Sequence, residues 1–272
     1  MNPLLKLIVG SYFLLFCSFG FAQPKECEKA LTLTSTTDWF PFIYRTTTGA
    51  SKGTDVQLLR TILNEMNCKL EVLHFPERRA LFVLSDGDFD IGLGATKTKK
   101  REVDFHYSIP YRIEVNRFAY SQNQLELTNA TNFQNILALN KVIAINLAGW
   151  YGQEIEHAKS TYDNFVFSST AQKRLTMLSL SRVDVVIDDQ IVLCSELERA
   201  PYGGLILHPM ELYKADIHFI FNKNTVSEAF VDMFNQILMT MEKSGSLAAH
   251  YYAHLPTACN SNQLFNFVDK TD

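Results

Sequence analysis

The amino-acid sequence predicts an α/β fold of two similarly built lobes, each a mainly parallel sheet flanked by helices. Three observations carry this reading. Segments with the two-residue period of strands alternate with segments of helical period. The same alternation recurs in the second half of the chain. Finally, the chain has 272 residues, of which 47% are hydrophobic and 20% charged, enough apolar side chains for one large or two small well-buried domains. The formal net charge of −4 provides no basic stripe for nucleic acid.

The N-terminus reads as a signal peptide over residues 1–22. Lys6 is followed by an apolar stretch from Leu7 to Phe16, and Gly20-Phe21-Ala22 places small residues three back from and at a cut before Gln23, with Pro24 just beyond. A membrane anchor is the competing reading. The stretch is interrupted by Gly and Ser, barely reaches the ~20 residues needed to span a bilayer and has no basic flank after it. Cys17 follows the bulky Phe16, which argues against a lipid anchor. The mature chain of about 250 residues is therefore expected in the periplasm.

Leu31 to Ser35 reads as a strand, and the aromatic cluster Trp39-Phe40-Pro41-Phe42 follows, where Pro41 forbids a regular continuation. Asp55 stands at the start of a helix in which Val56, Leu59, Ile62, Leu63 and Met66 recur at helical spacing. Lys69 to Phe75 alternates as a strand, Arg78 to Leu84 as a helix, and Phe89 to Gly94 is a short apolar strand. The second half offers strands at Val142 to Leu147, Asn164 to Phe167, Val183 to Ile187 and Leu205 to His208. Arg79, Leu81, Leu84 and Asp90 are echoed at the same spacing by Lys173, Leu175, Leu178 and Asp184, although any helix-turn-strand unit can produce one such match. The last long helix carries Val226, Phe230, Met233, Phe234, Ile237 and Met241 on one core-facing side.

Ligands of open α/β sheets bind at the carboxyl ends of the strands. The segments to inspect are then Trp39 and Phe42, Gly94 to Arg101, Ala148 to Gly152, and Asp188-Asp189-Gln190. Four cysteines, Cys27, Cys68, Cys194 and Cys259, follow the signal peptide, an even number for an oxidising compartment. Cys27 and Cys68 lie just before the first and second strands, which are expected to be neighbours, so Cys27–Cys68 is the preferred bridge. Cys194–Cys259 is the second pair, and buried free thiols are the alternative.

At these loops the chain resembles bacterial extracellular solute-binding proteins of family 3, the periplasmic type that serves polar amino-acid uptake. The resemblance rests on Gly53-Thr54-Asp55-Val56-Gln57-Leu58-Leu59, on Arg79-Ala80-Leu81 with Gly87 and Asp90, and on Gly94-Ala95-Thr96-Lys97-Thr98-Lys99-Lys100-Arg101 followed by Ser108, Pro110 and Tyr111. Val183 to Asp189 completes it in the second half. It implies the two-lobed type II periplasmic-binding-protein fold with two crossover strands. Lobe 1 is then residues 23–116 and 217–272, the latter including a C-terminal tail, and lobe 2 is residues 117–216, with hinges at Ile113 to Ser121 and Leu212 to Ile220. The resemblance also implies that Arg101 meets a ligand carboxylate and Asp189 its ammonium, with Thr96 and the backbone at Gly94 adding hydrogen bonds. A planar guanidinium fork suits a carboxylate as Lys cannot. Trp39 and Phe42 supply an aromatic wall, with core packing as their plain alternative, and Arg79 joins the ligand-binding set.

Asp188 rivals Asp189, and either residue could cap a helix instead. Gly149 and Trp150 occupy the corner where the family shows a glycine and small hydroxyl residues, so Trp150 and Tyr151 would crowd or reshape it. The ligand expected is an amino acid or related carboxylate, bound without cofactor or catalysis by a monomer. The closed form would then be presented to an inner-membrane ABC permease or a sensor domain. Two other readings stand beside it. One is a dehydratase of a cyclic acid on the same scaffold, with Glu77 and Asp189 as acid or base. The other is metal capture by His250 and His254, four residues apart, with Cys259 nearby.

Overall fold

A computed structural model describes residues 24–35, 38–75, 89–200, 202–256, 259 and 264–265. The signal-peptide segment, Glu77, Arg79 and the helix read over residues 78–84 lie outside them.

After a short 3-10 helix, Lys25–Glu28, strand β1 (Leu31–Ser35) leads into the small hairpin β2 (Tyr44–Arg45) and β3 (Ser51–Lys52) and then helix α1 (Thr54–Glu65). Strands β4 (Leu70–His74) and β5 (Ile91–Thr96) lie parallel on either side of β1. Next come β6 (Phe105–Tyr107) and the ten-residue β7 (Arg112–Ser121), followed by helices α2 (Leu125–Thr128) and α3 (Phe133–Ala138). The middle of the chain alternates β8 (Ile143–Ile145), α4 (Gln153–Thr161), β9 (Phe165–Phe167), α5 (Ala171–Ser179), β10 (Val185–Asp189), α6 (Gln190–Arg199) and β11 (Leu205–Leu207). A second ten-residue strand, β12 (Tyr213–Asn222), precedes α7 (Glu228–Ser244) and α8 (Ser246–His254).

The main sheet runs β4-β1-β5-β12-β7-β10-β8-β9, with β6 beside β12 and β11 beside β7. Its two parallel groups, β4-β1-β5 and β10-β8-β9, are separated by β7 and β12, which pair antiparallel from Tyr213 opposite Asn116 to Ile217 opposite Arg112. These two strands are the crossovers that join the lobes. Their inner ends carry the polar residues on which the site is built.

Each parallel group is covered by helices, as a sheet buried on both faces requires. The first core gathers Leu33, Val56, Leu59, Ile91, Phe219 and Phe234, all fully buried. In the second lobe, alternation along β10 sends Val185 and Ile187 into one cluster with Phe118 and Ile145, and Val186 into another with Leu175 and Leu193. Fully burying one such side chain contributes roughly 1.5–3 kcal/mol. Helix α7 begins where the Ser227 hydroxyl accepts the Phe230 N–H. Its buried face is Phe230, Val231, Phe234 and Leu238, with Met233, Ile237 and Met241 only partly buried and Val226 before the helix. The face is thus rotated toward Val231 and Leu238 from the one read in the sequence.

Two strand ends also correct the sequence reading. Strand β5 continues through Gly94 to Thr96, where Ala95 faces His218 and Thr96 faces Ile217. Strand β10 continues through Asp188 and Asp189, opposite Arg117 and Asn116. In both places the apolar run stops while the crossover strand alongside still supplies ladder partners, so polar residues extend the strand.

Both bridges are formed, Cys27–Cys68 and Cys194–Cys259, with Cα separations of 4.7 and 5.7 Å. The first closes a 41-residue separation within the first lobe. The second joins α6, which follows β10, to a residue beyond α8, a separation of 65. Closing a loop of this size lowers the entropy of the unfolded chain. The Cys194→Ala/Cys259→Ala variant is expected to lose ~2–4 kcal/mol of unfolding free energy, read as a lower urea midpoint against the oxidised parent.

Candidate functional site

The first half of β7 alternates polar and apolar residues. Arg112, Glu114 and Asn116 share one face, and Ile113 and Val115 the other, as the strand period dictates. All five are buried. A buried arginine needs counter-charges, and the fold supplies them from both sides. Arg112 Nε donates to Asp55 Oδ2 of α1 at 3.3 Å, and Nη1 donates to Asp189 Oδ2 at the end of β10 at 3.4 Å. Its guanidinium lies 3.7 Å from the ring centre of Phe42 and 4.9 Å from that of Trp39. Although burial opposes its charge, Asp55 and then Tyr111 and Asp189 hold Arg112 above its ordinary value.

Every oxygen of the two acids has a donor. The Tyr251 hydroxyl donates to Asp55 Oδ1 and the Tyr111 hydroxyl to Asp55 Oδ2, each at 2.7 Å. Asp189 Oδ1 accepts the N–H groups of Ile191 at 2.6 Å and Val192 at 3.3 Å and so caps α6. Asp188 points to a second buried cation. Its Oδ2 pairs with Arg174 of α5, and its Oδ1 accepts the Trp39 indole N–H at 3.3 Å and the Asp189 N–H at 2.8 Å.

The basic segment after β5 folds back over the strand end. The Arg101 N–H donates to Thr98 Oγ1, and the half-buried guanidinium donates from Nη1 to the Thr96 carbonyl at 3.0 Å and from Nη2 to the Ala148 carbonyl at 3.5 Å. Arg101 thus reaches from the first lobe to the loop after β8. Gly94, at φ +69°, lies so close to the Trp39 ring that a Cβ there would meet it at 2.6 Å. Its N–H donates to the Tyr111 hydroxyl. Trp39 therefore touches β5 on one side and Asp188 of β10 on the other.

Gly94, Thr96, Arg101, Trp39, Asp188 and Asp189 are accordingly brought together where the ends of β5 and β10 meet. Thr96 is buried, and its carbonyl serves Arg101. Phe42 is a correction to the aromatic wall: it is fully buried, and its ring carries Arg112. Gly149 and Trp150 are half-buried beside Ala148. Tyr151 corrects the expected crowding because it turns inward, where its hydroxyl accepts the Asn146 N–H at 2.9 Å. Gly149 allows this, since a Cβ there would lie 2.7 Å from the Tyr151 ring.

The sequence reading missed Arg112 and Arg174. The available signal was the period-two polar set Arg112, Glu114 and Asn116 inside an expected hinge strand. The His250 and His254 pair is occupied otherwise: His250 Nε2 meets the Thr54 carbonyl and His254 Nδ1 the His250 carbonyl. Among the described residues, the candidate group Cys194, Glu198 and Cys259 has both sulfurs in a disulfide, which takes them out of use as thiolate ligands.

Residues 31–256 match the model of the bacterial extracellular solute-binding proteins, family 3. The chain belongs to that family. It is 23% identical over 231 residues to a probable histidine-binding protein of Neisseria gonorrhoeae, covering 83% of this chain and 84% of the relative. Among solved structures, a histidine kinase sensor domain with similarity to periplasmic binding proteins superposes with a TM-score of 0.74 at 15% identity, covering 85% of this chain and 98% of that one. An arginine-, lysine-, histidine-binding protein from Geobacillus stearothermophilus gives 0.68 at 21% identity, with 84% and 97% covered. These likenesses establish the family's two-lobed fold for this chain. Among the described residues no helix is long and apolar enough to cross a membrane.

Within this family member the buried acids divide one proton unequally. Burial, together with the charge of Asp189, lifts Glu114 from 4.5 to about 8. Burial also raises Asp189, but Arg112 and two backbone N–H groups favour its ionised form. The proton therefore resides on Glu114, whose described partner is the Asn116 amide. Between the two values the folded protein holds a proton that the unfolded chain has released, so this contribution to stability is complete below about pH 4.5 and falls as pH rises toward 8. The limiting slope for one proton is about 1.4 kcal/mol per pH unit. The expected outcome is that Glu114→Gln flattens the decline in unfolding free energy between pH 5 and 8, measured by urea titration of both proteins at each pH.

Proposed function

We propose that this chain is a periplasmic solute receptor. Exported with cleavage near Ala22, it would capture a small polar solute, an amino acid or related carboxylate, between a lobe of residues 23–116 and 217–272 and a lobe of residues 117–216. The closed form would be read by an ABC-type permease or a sensor partner. Family membership supports the class. The histidine-binding relative and the arginine-, lysine-, histidine-binding neighbour support a small charged solute, and the sensor-domain neighbour keeps sensing beside uptake.

The observation that carries the reading is Arg101. Its guanidinium stands in the cleft on the Thr96 and Ala148 carbonyls, one from each lobe, and has no carboxylate in ion-pair range among the described residues. Two of its five N–H donors are used. The remaining donors offer a carboxylate a charge-assisted fork, and closing the lobes on that anion removes water from it. Hinge bending would take place along β7 and β12, the two strands that cross between the lobes.

A thermal-shift screen of cleaved, refolded protein against amino acids and small organic acids tests this. Refolding removes solute retained from expression. The expected result is stabilisation of several degrees by one solute class at saturating concentration, abolished in Arg101→Ala. An unshifted melting curve with every solute would contradict the proposal.

A further inference from the structure

The electrostatics of the cleft are lopsided. Three carboxylates stand where the lobes meet, and each of their oxygens already has a donor. Asp55 has Tyr251 on Oδ1 and Tyr111 with Arg112 on Oδ2. Asp188 has the Trp39 indole on Oδ1 and Arg174 on Oδ2. Asp189 has the first N–H groups of α6 on Oδ1 and Arg112 on Oδ2. The fourth acid, Glu114, is bonded to Asn116 and carries a proton. All four side chains are buried. Among the described residues, Glu102 pairs with Lys97 and the exposed Asp38 accepts the Arg45 N–H, while the buried Glu196 lies 3.7 Å from Arg199.

The cation facing Asp55 and Asp189 from within is Arg112, 3.7 Å from the Phe42 ring centre and 4.9 Å from that of Trp39. A buried carboxylate attracts a ligand amine because it would otherwise be left uncompensated. Here that compensation is built into β7. An ammonium entering the cleft would lose its hydration shell and meet carboxylates whose charge Arg112, Arg174 and N–H or O–H donors already compensate. A carboxylate entering the same cleft finds Arg101 with donors to spare.

Resting on the solute-receptor reading above, we infer that the cleft selects small carboxylates that carry no ammonium beside the carboxylate, with Arg112 as the internal cation that closes the acidic pocket to a ligand amine. Arg112 is then a specificity-determining residue, and Arg101 the group that meets the ligand.

Titration calorimetry on the refolded wild-type protein tests this with pairs of probes that differ in the ammonium alone: L-glutamate and glutarate, L-phenylalanine and 3-phenylpropionate, L-histidine and 3-(imidazol-4-yl)propionate. The expected result is that in at least one pair the deaminated acid binds about tenfold tighter or better, while no amino acid matches its partner. An amino acid that binds as tightly as its deaminated partner, or tighter, overturns the inference and leaves the solute-receptor reading standing. Failure of every probe to bind overturns both. A second arm uses Arg112→Gln, with its fold checked by circular dichroism: a folded variant is expected to shift its preference by about tenfold toward the amino acid of each pair. An unchanged preference in the folded variant overturns the role of Arg112, and the wild-type arm decides the ligand class if the variant does not fold.

Discussion

A guanidinium taken fully out of water is stable only where anions and polarisable surfaces replace its hydration, and the rest of this molecule is arranged around that requirement at Arg112. Its two carboxylates come from different lobes. Asp55 is the second residue of α1, and Asp189 is the last residue of β10 and the cap of α6. Arg112 itself opens β7, the strand along which the chain passes from one lobe to the other. One ion cluster therefore fixes the start of two helices, the end of a strand and the base of a crossover. Tyr111 and Tyr251 complete it by holding Asp55 from the crossover and from α8.

The same cluster explains the uneven chemistry of the cleft. Its acids are neutralised internally, so the floor presents aromatic and hydrogen-bonded surface instead of open negative charge. Arg101, by contrast, lies on carbonyl oxygens at the rim, where nothing among the described residues neutralises it. The interlobe bridge Cys194–Cys259 and the Trp39–Asp188 hydrogen bond act across the same boundary.

Much of the architecture was legible in the sequence because burial on both sheet faces leaves apolar runs of strand length, and helices such as α1 mark their buried side at 3.6-residue spacing. The Cys27–Cys68 bridge followed from which strands are neighbours, and Cys194–Cys259 was the pair that remained. Strand ends were less legible: Thr96 and Asp189 extend strands because β12 and β7 offer them ladder partners, a tertiary effect with no local signature. That Trp39 lies against Gly94 and Arg101 against Thr96 was foreseeable from their positions after β1 and at the end of β5. Arg112 and Arg174 were not, because a polar residue inside a strand or helix is read as surface until its counter-ion is located. Here the counter-ions lie 57 and 77 residues from Arg112 and 14 from Arg174.

The most direct test of this account is a crystal structure of the protein with its solute bound. The account predicts a solute carboxylate on Arg101 and the Arg112 guanidinium still seated between Asp55 and Asp189. A solute ammonium on Asp189, with Arg112 swung out of the pocket, would contradict it.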